Sequence, residues 1–372
     1  MELVVRKNDL LHELQLFQGI IERKNTIPIL SNVLLEAKGK EVCLLATDLE
    51  VALRSRCAAK VLKGGALTLP AKKLFEIVRA LPDTDIKISE EGQNGVKVSA
   101  DRFESRMQTL PREDFPTLPN PETKGAIPLP AATLREMVAK TQFAITGEDT
   151  RYFLNGALFV LDGSQMTLVA TDGHRLALVL ADRGKSGKSK KDDTRRVIFP
   201  KKTLSELSRL LTDDDKEIKY QHGENHLFFE INKRVLISRM IDAQFPAYER
   251  VIPKNNDKTI EFERDRLTSA IKRVALLSNE RSRAVKFQID TGIVEITANS
   301  PEVGEAREEL AVDYNNDKVQ LCFNAQYMLD FLSAVETDNV RLEFKDETSQ
   351  AVMRPVGAEG YDYTYVIMPM RI

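Results

Sequence analysis

Asp172 and His174 stand two residues apart in the run Ala170-Thr171-Asp172-Gly173-His174-Arg175, a carboxylate and an imidazole of the kind that acid–base catalysis employs. No activated nucleophile accompanies them in any recognisable motif. The run Leu44-Leu45-Ala46-Thr47-Asp48 repeats the pattern with Glu50 in place of the histidine, so the aspartate reads as structural. Gly184-Lys185-Ser186-Gly187-Lys188-Ser189 resembles a phosphate-binding loop, but that motif needs a glycine where Asp182 stands. The segment also runs on into Lys190, Lys191, Asp192 and Asp193, as a solvated loop does. His222 and His226 have the spacing of a metal-binding helix, yet Gly223 and Asn225 between them predict a hairpin turn. Cys43, Cys57 and Cys322 are odd in number, far apart and set in apolar or strand-like sequence, which fits buried reduced thiols better than disulfides or a metal cluster. No catalytic residue, metal or cofactor is expected, and the chemistry that remains is that of binding.

Composition limits what can be bound. A chain of 372 residues is long enough for two or three domains, and 42% hydrophobic with 30% charged residues describes an ordered globular protein. The net charge of −2 is not that of a protein gripping nucleic acid with its whole surface, so any DNA contact must come from local segregation of charge. The N-terminus lacks an apolar run of signal-peptide length, and no stretch approaches the roughly 20 apolar residues of a membrane span, so a cytoplasmic location is expected.

The elements that must position any site are repeated. Asp48 and Asp172 lie one third of the chain apart at the ends of matching apolar strands, and Ile296-Thr297-Ala298-Asn299-Ser300 is a fainter third copy. A second element recurs in the same order: Pro70 to Arg79, Pro200 to Arg209 and Asn324 to Ser333. Each opens on a helix-starting residue and continues with apolar residues three and four apart, such as Leu74, Ile77, Val78 and Leu81. Each copy also opens with a strand and a helix: Leu3 to Val5 then Asp9 to Ile20, Ile127 to Leu129 then Ala132 to Phe143, Thr259 to Phe262 then Arg266 to Leu277. The predicted fold class is α+β, with three repeated domains at 1–122, 126–252 and 258–372. They are separated by the turn-rich stretches Pro116 to Gly125 and Ile252 to Lys258.

Particular motifs carry a family resemblance. Arg151-Tyr152-Phe153-Leu154-Asn155-Gly156, Ala170 to Ala177, Phe245-Pro246-Ala247-Tyr248 with Val251-Ile252-Pro253, Leu277-Ser278-Asn279-Glu280 and Met368-Pro369-Met370-Arg371 together resemble the bacterial beta sliding clamps, processivity factors of DNA polymerase. The resemblance covers the whole chain. It implies a non-enzymatic, head-to-tail homodimer whose six domains close a ring on duplex DNA, sheets outside and helices lining the hole. Implied partners are DNA polymerase III and other DNA polymerases, the clamp loader, and other replication and repair proteins that carry a peptide motif.

The basic residues Lys72, Lys73 and Arg79, and Lys201, Lys202 and Arg209, lie mainly off the apolar stripes of their helices, and phosphate contacts from such side chains give affinity without sequence information. The third copy has Gln326 and Asp330 there, so the grip is expected in the first two. By resemblance Arg23, Lys24, Tyr152 and Phe153 also touch DNA, while Glu148 replaces a family glutamine and is not carried over. The unusually apolar C-terminus is implied to border a peptide groove with Leu154, Thr171, Gly173, His174, Arg175, Leu176, Pro246, Arg250, Val251, Asn324, Tyr327, Met368, Pro369, Met370 and Arg371. Lys73, Phe103, Leu276 and Leu277 match the family's subunit joint. Arg307 departs from it, in a stretch with Glu302, Glu305, Glu308 and Glu309 that the family keeps acidic. The rival readings are an enzyme using Asp172 and His174 in a cleft between the second and third domains, and a repeat scaffold that binds nothing.

Overall fold

Alternation of apolar residues sets the first strand, β1 (Glu2–Arg6), where Leu3 and Val5 are buried between less covered neighbours. The computed structural model describes residues 1–21, 26–92, 95–122, 125–184, 194–213 and 215–371. After β1 the first copy continues with α1 (Lys7–Phe17), β2 (Asn32–Lys38), β3 (Glu41–Thr47), β4 (Val51–Ala58), β5 (Lys60–Lys63), β6 (Gly65–Pro70), α2 (Ala71–Ala80), β7 (Asp85–Glu91), β8 (Gly95–Ala100) and β9 (Phe103–Gln108). The second comprises β10 (Ile127–Pro130), α3 (Ala131–Thr141), β11 (Gly156–Asp162), β12 (Gln165–Thr171), β13 (Arg175–Asp182), β14 (Arg195–Pro200), α4 (Lys201–Leu210), β15 (Glu217–His222), β16 (His226–Ile231) and β17 (Arg234–Arg239). The third has β18 (Lys258–Glu263), α5 (Arg264–Ala275), β19 (Ala284–Asp290), β20 (Ile293–Ser300), β21 (Gly304–Ala311), β22 (Val319–Asn324), α6 (Ala325–Ala334), β23 (Asn339–Phe344), β24 (Ala351–Pro355) and β25 (Tyr361–Ile367).

The helices follow their apolar spacing. Pro70, with φ of −56°, precedes α2, which buries Ala71, Leu74 and Val78; α4 buries Leu204, Leu207 and Leu210 at the same pitch. Asn324 caps α6 through its side-chain oxygen, which accepts from the backbone N–H of Gln326 (2.9 Å) and Tyr327 (3.3 Å). The opening helices α1, α3 and α5 each start one or two residues before the position expected from sequence, directly where their strands end.

The chain divides into two compact units that do not coincide with the three repeats. One comprises Met1–Ala132 with Lys202–Met240, the other Thr133–Lys201 with Ile241–Ile372. Sheets that run across repeat boundaries are the reason. In the first unit an eight-stranded sheet has the order β10-β15-β16-β17-β4-β3-β2-β6, so β17 of the second copy pairs with β4 of the first; a five-stranded sheet is ordered β5-β1-β7-β8-β9. In the second unit the order β14-β11-β12-β13-β25-β24-β23-β18 joins β13 to β25 of the third copy, beside a four-stranded sheet β21-β20-β19-β22.

The two joints share one register. Leu53 of β4 is paired with Ala46 on one side and Leu236 on the other; Ala177 of β13 is paired with Ala170 and Tyr365. A buried ion pair secures the first joint, because Arg234, the first residue of β17, donates from Nε (2.9 Å) and Nη2 (2.6 Å) to the two oxygens of Glu13 on α1. The first joint's outer face is capped by Leu118, which packs on Ala52, Phe228 and Ile237. The second is capped by Phe245, Tyr248 and Ile252 against Leu176 and Val366.

His222 and His226 end and begin the hairpin β15–β16, with Gly223 N–H donating to the His226 carbonyl (2.8 Å), as their neighbours predict. Cys57 and Cys322 are buried free thiols and Cys43 is half-buried; burial pushes Cys57 up to about 12 and Cys322 up to about 11. No helix among the described residues is long and apolar enough to cross a membrane, and among those residues no cluster of three or more metal-ligating side chains occurs. The Lys185 to Ser189 loop lies outside the described residues, as do Arg23 and Lys24.

Candidate functional site

The basic helices differ more than their sequences imply. On α2, Lys72, Lys73 and Arg79 are exposed; Lys73 pairs with Glu76 (2.8 Å) and Arg79 lies over the Phe75 ring (5.3 Å). On α4 only Arg209 is exposed, paired with the buried Glu206 at 2.9 Å. Lys201 is half-buried and donates to the Ile145 carbonyl (3.0 Å), while Lys202, also half-buried, forms an ion pair with Asp48. Both lysines lie off the apolar stripe, as expected, but their ammonium groups are engaged by partners within the fold. Arg266 and Lys272 are further exposed cations, on α5.

The Thr-Asp turns are built alike in two copies. Asp172 Oδ1 accepts from the N–H of His174 (2.9 Å) and Arg175 (3.0 Å), and Thr171 Oγ1 donates to the Arg175 carbonyl (2.7 Å). Asp48 likewise accepts from Glu50 (2.9 Å) and Val51 (2.7 Å), and Thr47 donates to Val51 (3.1 Å). The residue after each aspartate has positive φ, +89° at Gly173 and +80° at Leu49, where glycine is the easier choice. Both aspartates are thus occupied in closing turns.

The second turn also anchors Arg175. Its buried guanidinium donates to Asp172 (3.1 Å), Asp330 and the Phe143 carbonyl (2.7 Å), and lies 4.2 Å from the Tyr327 ring centre. Next to it the last residues are tied down: backbone N–H groups of Met368 and Met370 donate to the His174 (3.0 Å) and Cys322 (2.7 Å) carbonyls, and the Tyr365 side chain donates from Oη to the Tyr327 carbonyl (2.9 Å). Leu154 and Leu176 are buried beneath; Thr171, Asn324, Tyr327, Pro369 and Met370 are half-buried; Gly173, His174, Pro246, Arg250, Val251, Met368 and Arg371 are exposed.

Asn155 organises the Arg151-Tyr152-Phe153-Leu154 loop, its side chain accepting from Thr146 Oγ1 (2.6 Å) and Asp149 N–H (3.0 Å) and donating to the Asp149 carbonyl (3.1 Å). Gly156 is required there, because a β-carbon would come within 2.5 Å of the Phe199 carbonyl oxygen. Hydrogen bonds from Arg151 hold the Asp149 carboxyl down at about 2. The fixed loop buries Phe153 partly against the Leu176 and Val366 cluster and leaves Tyr152 59% exposed.

Two strands end their sheets where their counterparts are paired. β9 corresponds to β17 and β25, and β21 to β4 and β13, yet both lie at sheet edges. Large apolar side chains accompany them: Phe103 is 39% exposed at the start of β9, and Leu276, 79% exposed, follows α5.

Sequence profiles of the DNA polymerase III beta subunit match the chain in order: its N-terminal domain over residues 1–119, central domain over 128–247 and C-terminal domain over 249–371. The chain is 38% identical over 376 residues to the beta sliding clamp of Pseudomonas aeruginosa and 37% identical over 374 residues to that of Escherichia coli K12, with 100% of each chain covered. Among solved structures, a sliding clamp from Pseudomonas aeruginosa bound to griselimycin superposes with a TM-score of 0.93 at 37% identity, and one from Caulobacter crescentus with 0.91 at 34%, each over 100% of both chains. This chain belongs to the family of beta sliding clamps, the beta subunits of DNA polymerase III, with their three-domain clamp fold and their function as sliding clamps.

Proposed function

We propose that the chain acts as a head-to-tail homodimer whose six repeats close a ring around duplex DNA in the cytoplasm, tethering DNA polymerases without catalysing a reaction. The observation that carries this reading is the unfinished repeat. β17 on β4 and β25 on β13 are the same joint made twice within the chain, and the edge strands β9 and β21 are the two halves of a third joint, which a second copy completes in this reading. At both internal joints the first residue of the arriving strand or its near neighbour reaches the opening helix of the other copy, Arg234 at Glu13 on α1 and Tyr363 Oη at the Lys140 carbonyl on α3 (2.7 Å). Phe103 holds that position in β9, and the corresponding helix is α5, which is followed by Leu276 and Leu277.

Lys72, Arg79 and Arg209 supply exposed cations for phosphate contact, and Tyr152 an exposed ring; Lys73 belongs with the subunit joint, and Arg23 and Lys24 join the DNA set by family resemblance. The surface formed by the Thr171–Leu176 turn, Pro246, Arg250, Val251, Tyr327 and the Met368–Arg371 tail takes short peptides of polymerases, of the clamp loader and of other replication and repair proteins.

The test is topological. Protein loaded onto circular DNA should co-elute with it and be lost when the circle is cut. Replacing Leu276 and Leu277 by aspartate should give monomers that are not retained. Equal retention on cut and uncut DNA would rule out encirclement.

A further inference from the structure

Resting on the dimer reading above, we infer that a reciprocal charge zipper, Arg102, Glu104 and Arg106 against Glu309, Arg307 and Glu305 of a second copy, fixes the register of the subunit joint. The register comes from the internal joints. Ala46 faces Leu53, Ala170 faces Ala177 and Ala298 faces Ala306 across matching hairpins, so Ala306 is the counterpart of Leu53 and Ala177. On the other strand, Ala100 faces Phe103 as Ile231 faces Arg234, across two-residue turns whose first residues, Asp101 (φ +48°) and Asn232 (φ +54°), share a left-handed conformation. Ser105 is therefore the counterpart of Leu236. Because Leu236 faces Leu53 and Tyr365 faces Ala177, Ser105 of one copy faces Ala306 of the other.

That alignment sets Glu104 opposite Arg307, Arg106 opposite Glu305 and Arg102 opposite Glu309. Burial agrees with it, since Glu104 and Arg106, like Glu305, Arg307 and Glu309, are exposed and alternate with the less exposed Ser105, Met107, Ala306 and Leu310. Slipping by two residues, the smallest shift that keeps each face, pairs Glu104 with Glu309 and Arg106 with Arg307 in one direction, and Glu104 with Glu305 in the other. Every such slip juxtaposes like charges. Within one chain these groups already have partners, Arg307 with Glu295 (2.6 Å) and Glu309, Glu104 with Lys97 (2.7 Å) and Arg106 with Glu91 (2.9 Å), which hold the side chains on the solvent face. At the position of Arg106 and Glu305 the internal joints place apolar residues, Ala52 with Ile237 and Leu176 with Val366, under the connecting segments, while the position of Glu104 and Arg307 holds Val235 with Arg54 and Thr364 with Leu178. No connector crosses a joint between two chains, so that face stays in water, where charge selects register better than apolar contact does.

The test is a charge swap read as the dimer dissociation constant by sedimentation. Glu104→Arg and Arg307→Glu each place repulsion at both joints of a dimer and should weaken it roughly 30-fold, about fivefold per joint with the loss of attraction included. The double variant, or an equimolar mixture of the two single variants, should recover to within about threefold of the parent, since opposite charges then meet at both joints of the double variant and at both joints of the mixed dimer. Recovery also shows that the single variants are folded. Unchanged single variants, or no recovery in the double variant while the parent protein dimerises, would overturn the zipper and leave the dimer standing. A monomeric parent protein would overturn both.

Discussion

Asp48 and Asp172 carry the same burden at corresponding places, each closing a turn by accepting two backbone N–H groups, which is why the carboxylate recurs while its neighbour changes from Glu50 to His174. The second turn does more, since Arg175 ties it to Asp330 and the His174 carbonyl holds Met368. Removing residues 368–372 should therefore abolish binding of a polymerase-derived peptide, with affinity in the micromolar range for two buried apolar anchors, while sedimentation still gives a dimer. Equal calorimetric titrations of intact and shortened protein would place the peptide elsewhere. Sequence alone made the structural reading of these aspartates legible, because the repeat lacked the histidine. It did not reveal that Lys201 and Lys202 are tied down: the Asp48 partner of Lys202 is distant in sequence, and helix periodicity reports only which side of a helix is apolar.

At the scale of elements, helices were legible and joints were not. Three- and four-residue spacing identified α2 and α4 because the stripe is local, whereas the pairing of β17 with β4 leaves no periodic mark on either strand. The ion pair at that joint gives it a pH dependence. Burial raises the Glu13 carboxyl, but hydrogen bonds from Arg234 and Ser55 outweigh it and hold Glu13 below the usual carboxylate range. A lowered carboxylate contributes stability above its unfolded value and loses it as pH falls through the folded one. Arg234→Ala, which leaves Glu13 without its cationic partner and held by Ser55 alone, should cost about 3 kcal/mol in urea denaturation at pH 7. The gap from the parent protein should narrow as the solution is acidified through and below the range of an ordinary glutamate, about 4.3; a gap that grows there would contradict the assignment.

For the molecule as a whole, modest charge and local basic helices fit a protein that holds DNA loosely. Replacing Lys72, Arg79 and Arg209 by alanine should weaken DNA binding on all sequences alike and flatten the slope of log affinity against log salt by about 2 to 3, at roughly 0.9 for each phosphate no longer neutralised. Anisotropy titrations over a salt series measure it, and an unchanged slope would remove these side chains from the DNA surface. The repeated joint has one more consequence. Two of its three instances are intramolecular, held by short connectors at effective concentrations of the order of millimolar whatever the protein's abundance. The third obeys mass action. In the proposed dimer a breach therefore opens only at the Phe103 and Leu276 seams, and dilution loosens those two seams while every other joint stays shut, so the chain's own covalent continuity decides where the molecule can be entered.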